Sequence, residues 1–183
     1  MIRIGIYGGT FDPIHKGHLH LIEQLFIRDL IDELIVIPAG QPWLRTSAPI
    51  ASGADRLAMV KLALQELPSQ MQSSITVSQI ELMRSGATYT IDTIEEISAQ
   101  RPDAHLILVV GSDAFATIER WHRSDELLSQ VEVLVIARNG EGLDIDALPI
   151  SATQLRDSLT AHADEIPQSV EMYIKEKNLY ASK

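Results

Sequence analysis

The sequence predicts a doubly wound α/β fold, a Rossmann-like parallel sheet of five strands with helices on both faces. Three observations support this prediction. Five short apolar runs alternate with segments whose apolar residues have helical spacing. The runs are nearly continuous in aliphatic residues, which is typical of parallel strands buried on both faces. Several runs end in glycine or proline, at the position where open α/β sheets bind their ligands.

The predicted strands are rich in β-branched and aliphatic residues, and they lie at Ile2–Tyr7, Leu34–Pro38, Ile75–Ile80, His105–Val110 and Val131–Ala137. Helical spacing is clearest in four segments, which begin near Gly17, cover Ala54–Leu67, follow Thr90 and cover Pro167–Lys177. The segment Glu141–Leu148 is short and acidic, and we expect it to be irregular. The sequence contains no internal repeat and no linker, so we expect one domain.

The composition narrows the class of protein. A chain of 183 residues with 45% hydrophobic content can bury a substantial core, and no apolar run approaches the length of a membrane span. The chain has no cysteine and begins in a predicted strand, so we expect a cytoplasmic protein without a signal peptide. A net charge of −10 argues against nonspecific binding of nucleic acid or anionic membranes. The composition is compatible with a homo-oligomer and does not require one.

The turn after the first predicted strand contains the residues that indicate a chemical function, two glycines and two histidines. Gly8 and Gly9 allow a ligand to approach the backbone, and the helix that opens near Gly17 offers unpaired N–H groups to an anion. His15 and His18 stand three residues apart, so they share a helix face and both can donate to one phosphate. Two alternatives remain. The histidines could be ordinary core or surface residues, or they could bind zinc, for which only Asp12 offers a third ligand nearby.

The string Gly8-Gly9-Thr10-Phe11-Asp12-Pro13, followed by His15-x-Gly17-His18, resembles the signature of the HxGH nucleotidyltransferases. Within that superfamily it resembles the nicotinate-mononucleotide adenylyltransferases. The resemblance implies one nucleotidyltransferase domain over residues 1–183, which transfers the adenylyl group of ATP to nicotinate mononucleotide. It implies that Mg²⁺ accompanies ATP and that the protein has no resident metal.

Two further motifs extend the resemblance. Gly111-Ser112-Asp113 follows a predicted strand, and residues 150–156 resemble the family's Ile-Ser-x-Thr-x-(Ile/Leu)-Arg motif, with Ala152 where serine is common. The resemblance implies catalytic roles for His15, His18 and Arg156. It implies nucleotide-binding roles for Gly8, Gly9, Thr10, Phe11, Gly111, Asp113, Ile150, Ser151 and Thr153. A simpler interpretation makes Ser112 or Asp113 a helix N-cap.

The acceptor site is predicted from other segments. The string Tyr89-Thr90-Ile91-Asp92-Thr93 resembles a family segment at the nicotinate ring, although Thr90 as a helix N-cap also explains it. The resemblance assigns acceptor binding to Arg45, Tyr89, Thr90, Trp121 and His122. Trp121 would stack on the nicotinate ring, or it would be a core residue if the resemblance fails.

Two further features of the sequence need an explanation, a departure from the family pattern at residues 43–44 and an arginine in the first turn of a predicted helix. Trp43 and Leu44 depart from the Pro-His-Lys that the family commonly carries, while Arg45 keeps the basic end. Arg56 lies in the first turn of a predicted helix, where a cation opposes the helix dipole. We expect Arg56 to be solvated unless it meets an anionic partner.

Two rival functions remain at this stage. One is an HxGH transferase with a different acceptor, such as nicotinamide mononucleotide or phosphopantetheine. Tyr89, Thr90 and Trp121 argue more against phosphopantetheine than against the amide. The other is a nucleotide-binding regulatory module without turnover, which intact His15, His18 and Arg156 disfavour.

Overall fold

The structure is a computed structural model that describes residues 1–41, 48–138 and 141–181. The strands are β1 (Ile2–Gly9), β2 (Glu33–Pro38), β3 (Ile75–Val77), β4 (Ala104–Gly111) and β5 (Glu132–Ile136). The helices are α1 (Lys16–Ile27), α2 (Gly53–Leu64), α3 (Ser69–Gln72), α4 (Thr90–Gln100), α5 (Ser112–Phe115), α6 (Ser124–Gln130), α7 (Ala152–Asp157) and α8 (Gln168–Lys177). Short 3₁₀ turns lie at Ile118–Arg120 and Ala163–Glu165.

All strand pairs are parallel, and the sheet order is β3-β2-β1-β4-β5. The chain moves outward from β1 to β3 and then crosses back to place β4 on the other side of β1. Ile6 therefore pairs with Ile35 of β2 and with Leu108 of β4. The reversal leaves a crevice at the carboxyl end of β1, the usual ligand position in this class of sheet. The predicted fold class is confirmed.

The core has two layers, one on each face of the sheet. On one face α1, α2 and α8 pack against β1 and β2, with Ile22, Met59 and Ile174 buried among them. On the other face Ile91 and Ile94 of α4 pack with Leu127 of α6. Each fully buried aliphatic side chain of this size contributes about 2 kcal/mol relative to an exposed one. Burial on both faces explains why the strand sequences lack polar alternation.

The third strand is shorter than the sequence predicts. The prediction of a strand through Ile80 is wrong, because β3 ends at Val77. The amide of Ser78 still donates to the carbonyl oxygen of Val36, but the next ladder bond would have to come from Pro38. Proline has no N–H to donate, so pairing between β2 and β3 stops there.

Within the described residues, no helix combines the length and apolarity that crossing a membrane would require.

Candidate active site

Two cavities open on either side of the end of β1, at the crevice where the strand order reverses. The first, which we call the nucleotide cavity, has a volume of about 390 Å³ and is lined by residues that include Tyr7, His15, His18, Asp113, Arg138, Ile150 and Ser151. The second, the acceptor cavity, has a volume of about 290 Å³ and is lined by residues that include Gly8, Gly9, Glu81, Thr88, Thr90, Trp121 and His122. The sequence motifs therefore fall into two groups that meet at one strand end.

The two histidines of the motif form one stacked unit. His15 is the N-cap of α1, and the centroid of its ring lies 3.7 Å from that of His18. The backbone N–H of His15 donates to Nδ1 of His18 at 3.1 Å. Because Nδ1 accepts, the proton of neutral His18 resides on Nε2. A Cβ atom at Gly17 would lie 3.0 Å from Nδ1 of His15, so a larger residue at that position would crowd the ring.

Burial keeps both histidines neutral. Desolvation lowers the pKa of His15 from 6.5 to about 4, and the positive charge of Arg138 acts in the same direction. The pKa of His18 is also lowered well below 6.5, first by burial and then by the neighbouring His15 and Arg138. Nδ1 of His15 is buried without a hydrogen-bond partner among the described groups. The protein thus holds two neutral imidazoles side by side, one of which has a ring nitrogen without a hydrogen-bond partner among the described groups.

Two aromatic side chains, Phe11 and Tyr7, pack beside His18. Phe11 is buried and packs edge-on against His18 with ring centroids 5.1 Å apart and against Tyr7 at 5.6 Å. Phe11 has a left-handed backbone (φ 50°), and its ring lies within 2.8 Å of where a Cβ of Gly9 would be. In this structure Phe11, predicted to bind nucleotide, supports His18 from the core. Burial also raises the pKa of Tyr7.

Arg138 is the residue of the nucleotide cavity that sequence reasoning missed. It follows β5 and is the one Lys or Arg side chain lining this cavity in the described part of the chain. Its Nη1 donates to Oδ2 of Asp113 at 3.3 Å, and its backbone N–H donates to Oγ of Ser112 at 3.1 Å. The only signal in the sequence was a basic residue directly after a strand, at the ligand-binding edge of the sheet. The N-cap interpretation of Ser112 or Asp113 is wrong, because Gly111 occupies the N-cap of α5.

The last motif reaches the site through Arg156. Ser151 is the N-cap of α7, although its side chain makes no capping bond. Nη1 of Arg156 donates to the carbonyl oxygen of Asp12 at 2.6 Å, and Nη2 donates to Oγ1 of Thr153 at 3.2 Å. Arg156 is thus anchored to the turn between β1 and α1, residues 10–15, which we call the motif turn. Ile150 and Ser151, in contrast, line the nucleotide cavity itself.

The expectation that the Arg56 side chain is solvated is wrong. Only 2% of the residue is exposed, and Nη1 donates to the carbonyl oxygen of Thr10 at 2.8 Å. The helix face that buries Met59 and Val60 also turns Arg56 inward, where the motif turn supplies an acceptor. Thr10, predicted to bind nucleotide, therefore has its carbonyl engaged inside the protein.

The acceptor cavity combines a helix start with aromatic rings. Tyr89, and not Thr90, is the N-cap of α4, which corrects the capping interpretation; Thr90 is the first helical residue and lines the cavity. The rings of Tyr89 and His122 lie 4.2 Å apart. Trp121 lines the cavity and also packs partly against the core, and its stacking on a nicotinate ring stays a prediction. The predicted acceptor residue Arg45 lies outside the described residues.

Glu81 is a second residue that sequence reasoning missed. Its carboxylate lines the acceptor cavity, where it accepts from the N–H of Gly40 at 3.3 Å and from Oγ1 of Thr93 at 3.1 Å. Arg84 donates to the same Thr93 hydroxyl at 2.7 Å and pairs with Glu96 at 2.8 Å. This network connects the wall of the cavity to α4. A glutamate three residues before an arginine, just ahead of the Tyr89 motif, was the available signal.

The chemistry of the donor set bears on Mg²⁺. Among the described residues no group of three or more His, Asp or Glu side chains could hold a metal ion. Asp113 is the one carboxylate lining the nucleotide cavity there, and it pairs with Arg138. The arrangement therefore suits a nucleotide that brings its own cation better than a resident metal.

A parallel sheet with this strand order, a histidine pair at its switch point and two cavities at the same strand end are the features expected of a nucleotidyltransferase. The sequence profile of the cytidylyltransferase-like family matches residues 6–176. The chain belongs to that family, within its branch of nicotinate-nucleotide adenylyltransferases.

Curated relatives and a solved structure support the assignment. A Mycolicibacterium vanbaalenii protein named "Probable nicotinate-nucleotide adenylyltransferase" is 34% identical over 205 residues, covering 98% of this chain and 92% of the relative. A Streptomyces coelicolor protein of the same name is 35% identical over 190 residues, covering 94% and 98%. The solved Plasmodium falciparum nicotinic acid mononucleotide adenylyltransferase, complexed with NaAD, matches with a TM-score of 0.82 at 22% identity, covering 98% of both chains. That last likeness supports the fold.

Proposed function

We propose that the protein joins ATP and nicotinate mononucleotide to form nicotinate adenine dinucleotide and pyrophosphate. One observation carries the proposal: both cavities are lined by residues from the end of β1, Tyr7 in the nucleotide cavity and Gly8 and Gly9 in the acceptor cavity, and the histidine pair lines the former. Two phosphate-bearing substrates held in these cavities would have their phosphates close together. The likeness to the named relatives supports the choice of substrates.

The reaction needs no protein nucleophile. An oxygen of the mononucleotide phosphate attacks the α-phosphorus of ATP, a new P–O bond forms, and the bond to the pyrophosphate oxygen breaks. The protein contributes alignment and stabilisation of the charge that moves toward the leaving group. The absence of cysteine is compatible with this chemistry.

The described residues have distinct roles in this scheme. Nε2–H of His18 donates to the reacting phosphates, and His15 lies stacked against it. Arg138 supplies positive charge to the triphosphate in a protein that is otherwise strongly acidic. Asp113 accepts from ribose hydroxyls once Arg138 turns to phosphate. Arg156 and residues 151–153 hold the pyrophosphate end.

Mg²⁺ accompanies ATP as part of the substrate and neutralises the charge of the triphosphate. We infer no resident metal ion, because the described carboxylates and imidazoles form no ligand cluster. We also propose that the protein is cytoplasmic, acts as a single domain over residues 1–183 and binds neither nucleic acid nor membrane.

The acid acceptor is favoured over the amide by the start of α4. Its first-turn amides lack intrahelical partners, and a helix N-terminus favours a carboxylate. A carboxamide would turn its NH₂ group against those donors. Glu81 lines the same cavity, but its oxygens are engaged by Gly40 and Thr93.

The test is pyrophosphate release with ATP and a panel of acceptor phosphates. We expect kcat/KM for nicotinate mononucleotide to exceed that for the amide by at least about 100-fold, because unpaired buried donors discriminate strongly. Trp121→Ala should weaken both acceptors by similar factors, since stacking does not sense the acid group. Equal kcat/KM values for acid and amide would show a dual-specificity enzyme, and no release with either would refute the proposed function.

A further inference from the structure

Asp12, in the middle of the motif, is the most heavily bonded carboxylate of the site. Only 4% of the residue is exposed. Oδ2 accepts from the N–H of Ile50 at 2.8 Å, while Oδ1 accepts from the N–H of Ala51 at 3.0 Å and from the hydroxyl of Tyr180 at 2.6 Å. Three separate parts of the chain, the motif turn, residues 50–51 and the segment after α8, therefore meet at one side chain.

The same residue holds Arg156 through its main chain. The carbonyl oxygen of Asp12 accepts from Nη1 of Arg156 at 2.6 Å. A displacement of Asp12 would therefore move the anchor of Arg156 as well as the turn that leads to His15. A shift of about 1 Å in a reacting arrangement can cost about 100-fold in rate.

Tyr180 has a strained backbone conformation at the position where its hydroxyl bonds to this carboxylate. Its φ of 59° lies in the left-handed region, which an aromatic residue adopts only under backbone strain. Asn178, two residues earlier, is also left-handed and ends α8. Tyr180 packs partly against the first core layer, and burial together with the bond to Asp12 raises its pKa. The surroundings overdetermine this geometry, as strained functional positions require.

We propose that Tyr180 is a positioning residue of the adenylyl-transfer site, which acts through Asp12 to fix the motif turn and the anchor of Arg156. This inference rests on the proposed function. Tyr180 touches neither substrate, and it affects the nucleotide side more than the acceptor side. The reason is that Arg156, which donates to the carbonyl oxygen of Asp12, belongs to the nucleotide side in the proposed scheme.

The chain offers a matched control. Tyr173, on α8, also donates its hydroxyl to a carboxylate, Oδ1 of Asp55, at 2.9 Å. Asp55 lies in the first turn of α2 and bonds to Ser52. Tyr180→Phe and Tyr173→Phe therefore remove the same kind of hydrogen bond, one made to a carboxylate of the motif turn and one made to a carboxylate outside it.

The experiment measures kcat, KM for ATP and for nicotinate mononucleotide, ATP affinity by calorimetry, and the thermal midpoint for both variants. We expect Tyr180→Phe to lower kcat/KM for ATP by about 10-fold and to weaken ATP binding, with KM for the acceptor within about twofold. Tyr173→Phe should lower the thermal midpoint by a similar amount with unchanged kinetics. Wild-type kinetics and ATP affinity in folded Tyr180→Phe, or equal kinetic losses in both variants, would overturn the proposal.

A double-mutant cycle gives a second readout. Asp12→Asn exchanges one acceptor oxygen for an NH₂ group, and adding Tyr180→Phe should lower kcat/KM no further if the hydroxyl acts through Asp12. Additive losses would contradict that route. The proposed function is judged separately, by pyrophosphate release from the unmodified protein. If that release is absent, the ATP affinities of the variants still test the role of Tyr180.

Discussion

The buried neutral state of His15 predicts a specific dependence of stability on pH. In the unfolded chain this histidine titrates at its ordinary pKa of 6.5, whereas burial lowers its pKa in the folded protein to about 4. Between these values the unfolded state binds the additional proton, so acidification favours unfolding. The stabilisation is complete above pH 6.5 and is lost as the pH falls toward 4.

The size of the effect follows from the linkage relation. A pKa difference from 6.5 to about 4 corresponds to at most about 3 kcal/mol. Between about pH 7.5 and about pH 5, one such group removes about 2 kcal/mol from the free energy of unfolding. Since only 6% of His15 is exposed, solvent screening does not reduce this figure much. His18 acts in the same direction.

The assay is urea unfolding, followed by circular dichroism at both pH values, for the wild type and for His15→Gln. Glutamine does not titrate, so the variant should lose about 2 kcal/mol less than the wild type on acidification. The comparison cancels contributions from titrating groups that do not interact with His15; for His18 it removes the effect of His15 on its pKa. An identical pH dependence in the two proteins would refute the conclusion that His15 is buried as a neutral imidazole.

Three further predictions concern turnover. His18→Asn keeps an acceptor for the N–H of His15 but removes the Nε2 donor, so kcat should fall by about 100-fold or more in a folded protein; a near-normal rate would remove His18 from the mechanism. Arg156→Lys loses the planar fork that reaches both Asp12 and Thr153, and steady-state kinetics should show a higher KM for ATP or a lower kcat, with the acceptor KM little changed. A shift in the acceptor parameters alone would place Arg156 on the other substrate. Arg138→Gln should raise KM for ATP by about 10-fold or more with the thermal midpoint nearly unchanged, because its exposed pair with Asp113 adds little stability; an unchanged KM would exclude a triphosphate contact.

The sequence alone determined the fold class and the centre of the site. Buried parallel strands and helices each have a local apolar pattern, so their alternation is visible along the chain. The histidine pair is also a local feature, since residues three apart on a helix are neighbours whatever surrounds them. Glycine at position 17, between His15 and His18, belongs to the same short string, and a Cβ atom there would crowd the His15 ring.

Tertiary structure decided the partners of the polar residues. The carbonyl that accepts from Arg56 lies 46 residues away along the chain, and the carboxylate that accepts from Tyr180 lies 168 residues away. Arg138 enters the nucleotide cavity only because β4 and β5 lie on the same side of β1. Such contacts depend on strand order and on which helix face is buried, and neither has a local signal. A buried charged or polar group must nevertheless find a partner, and the folded chain supplies it from distant segments.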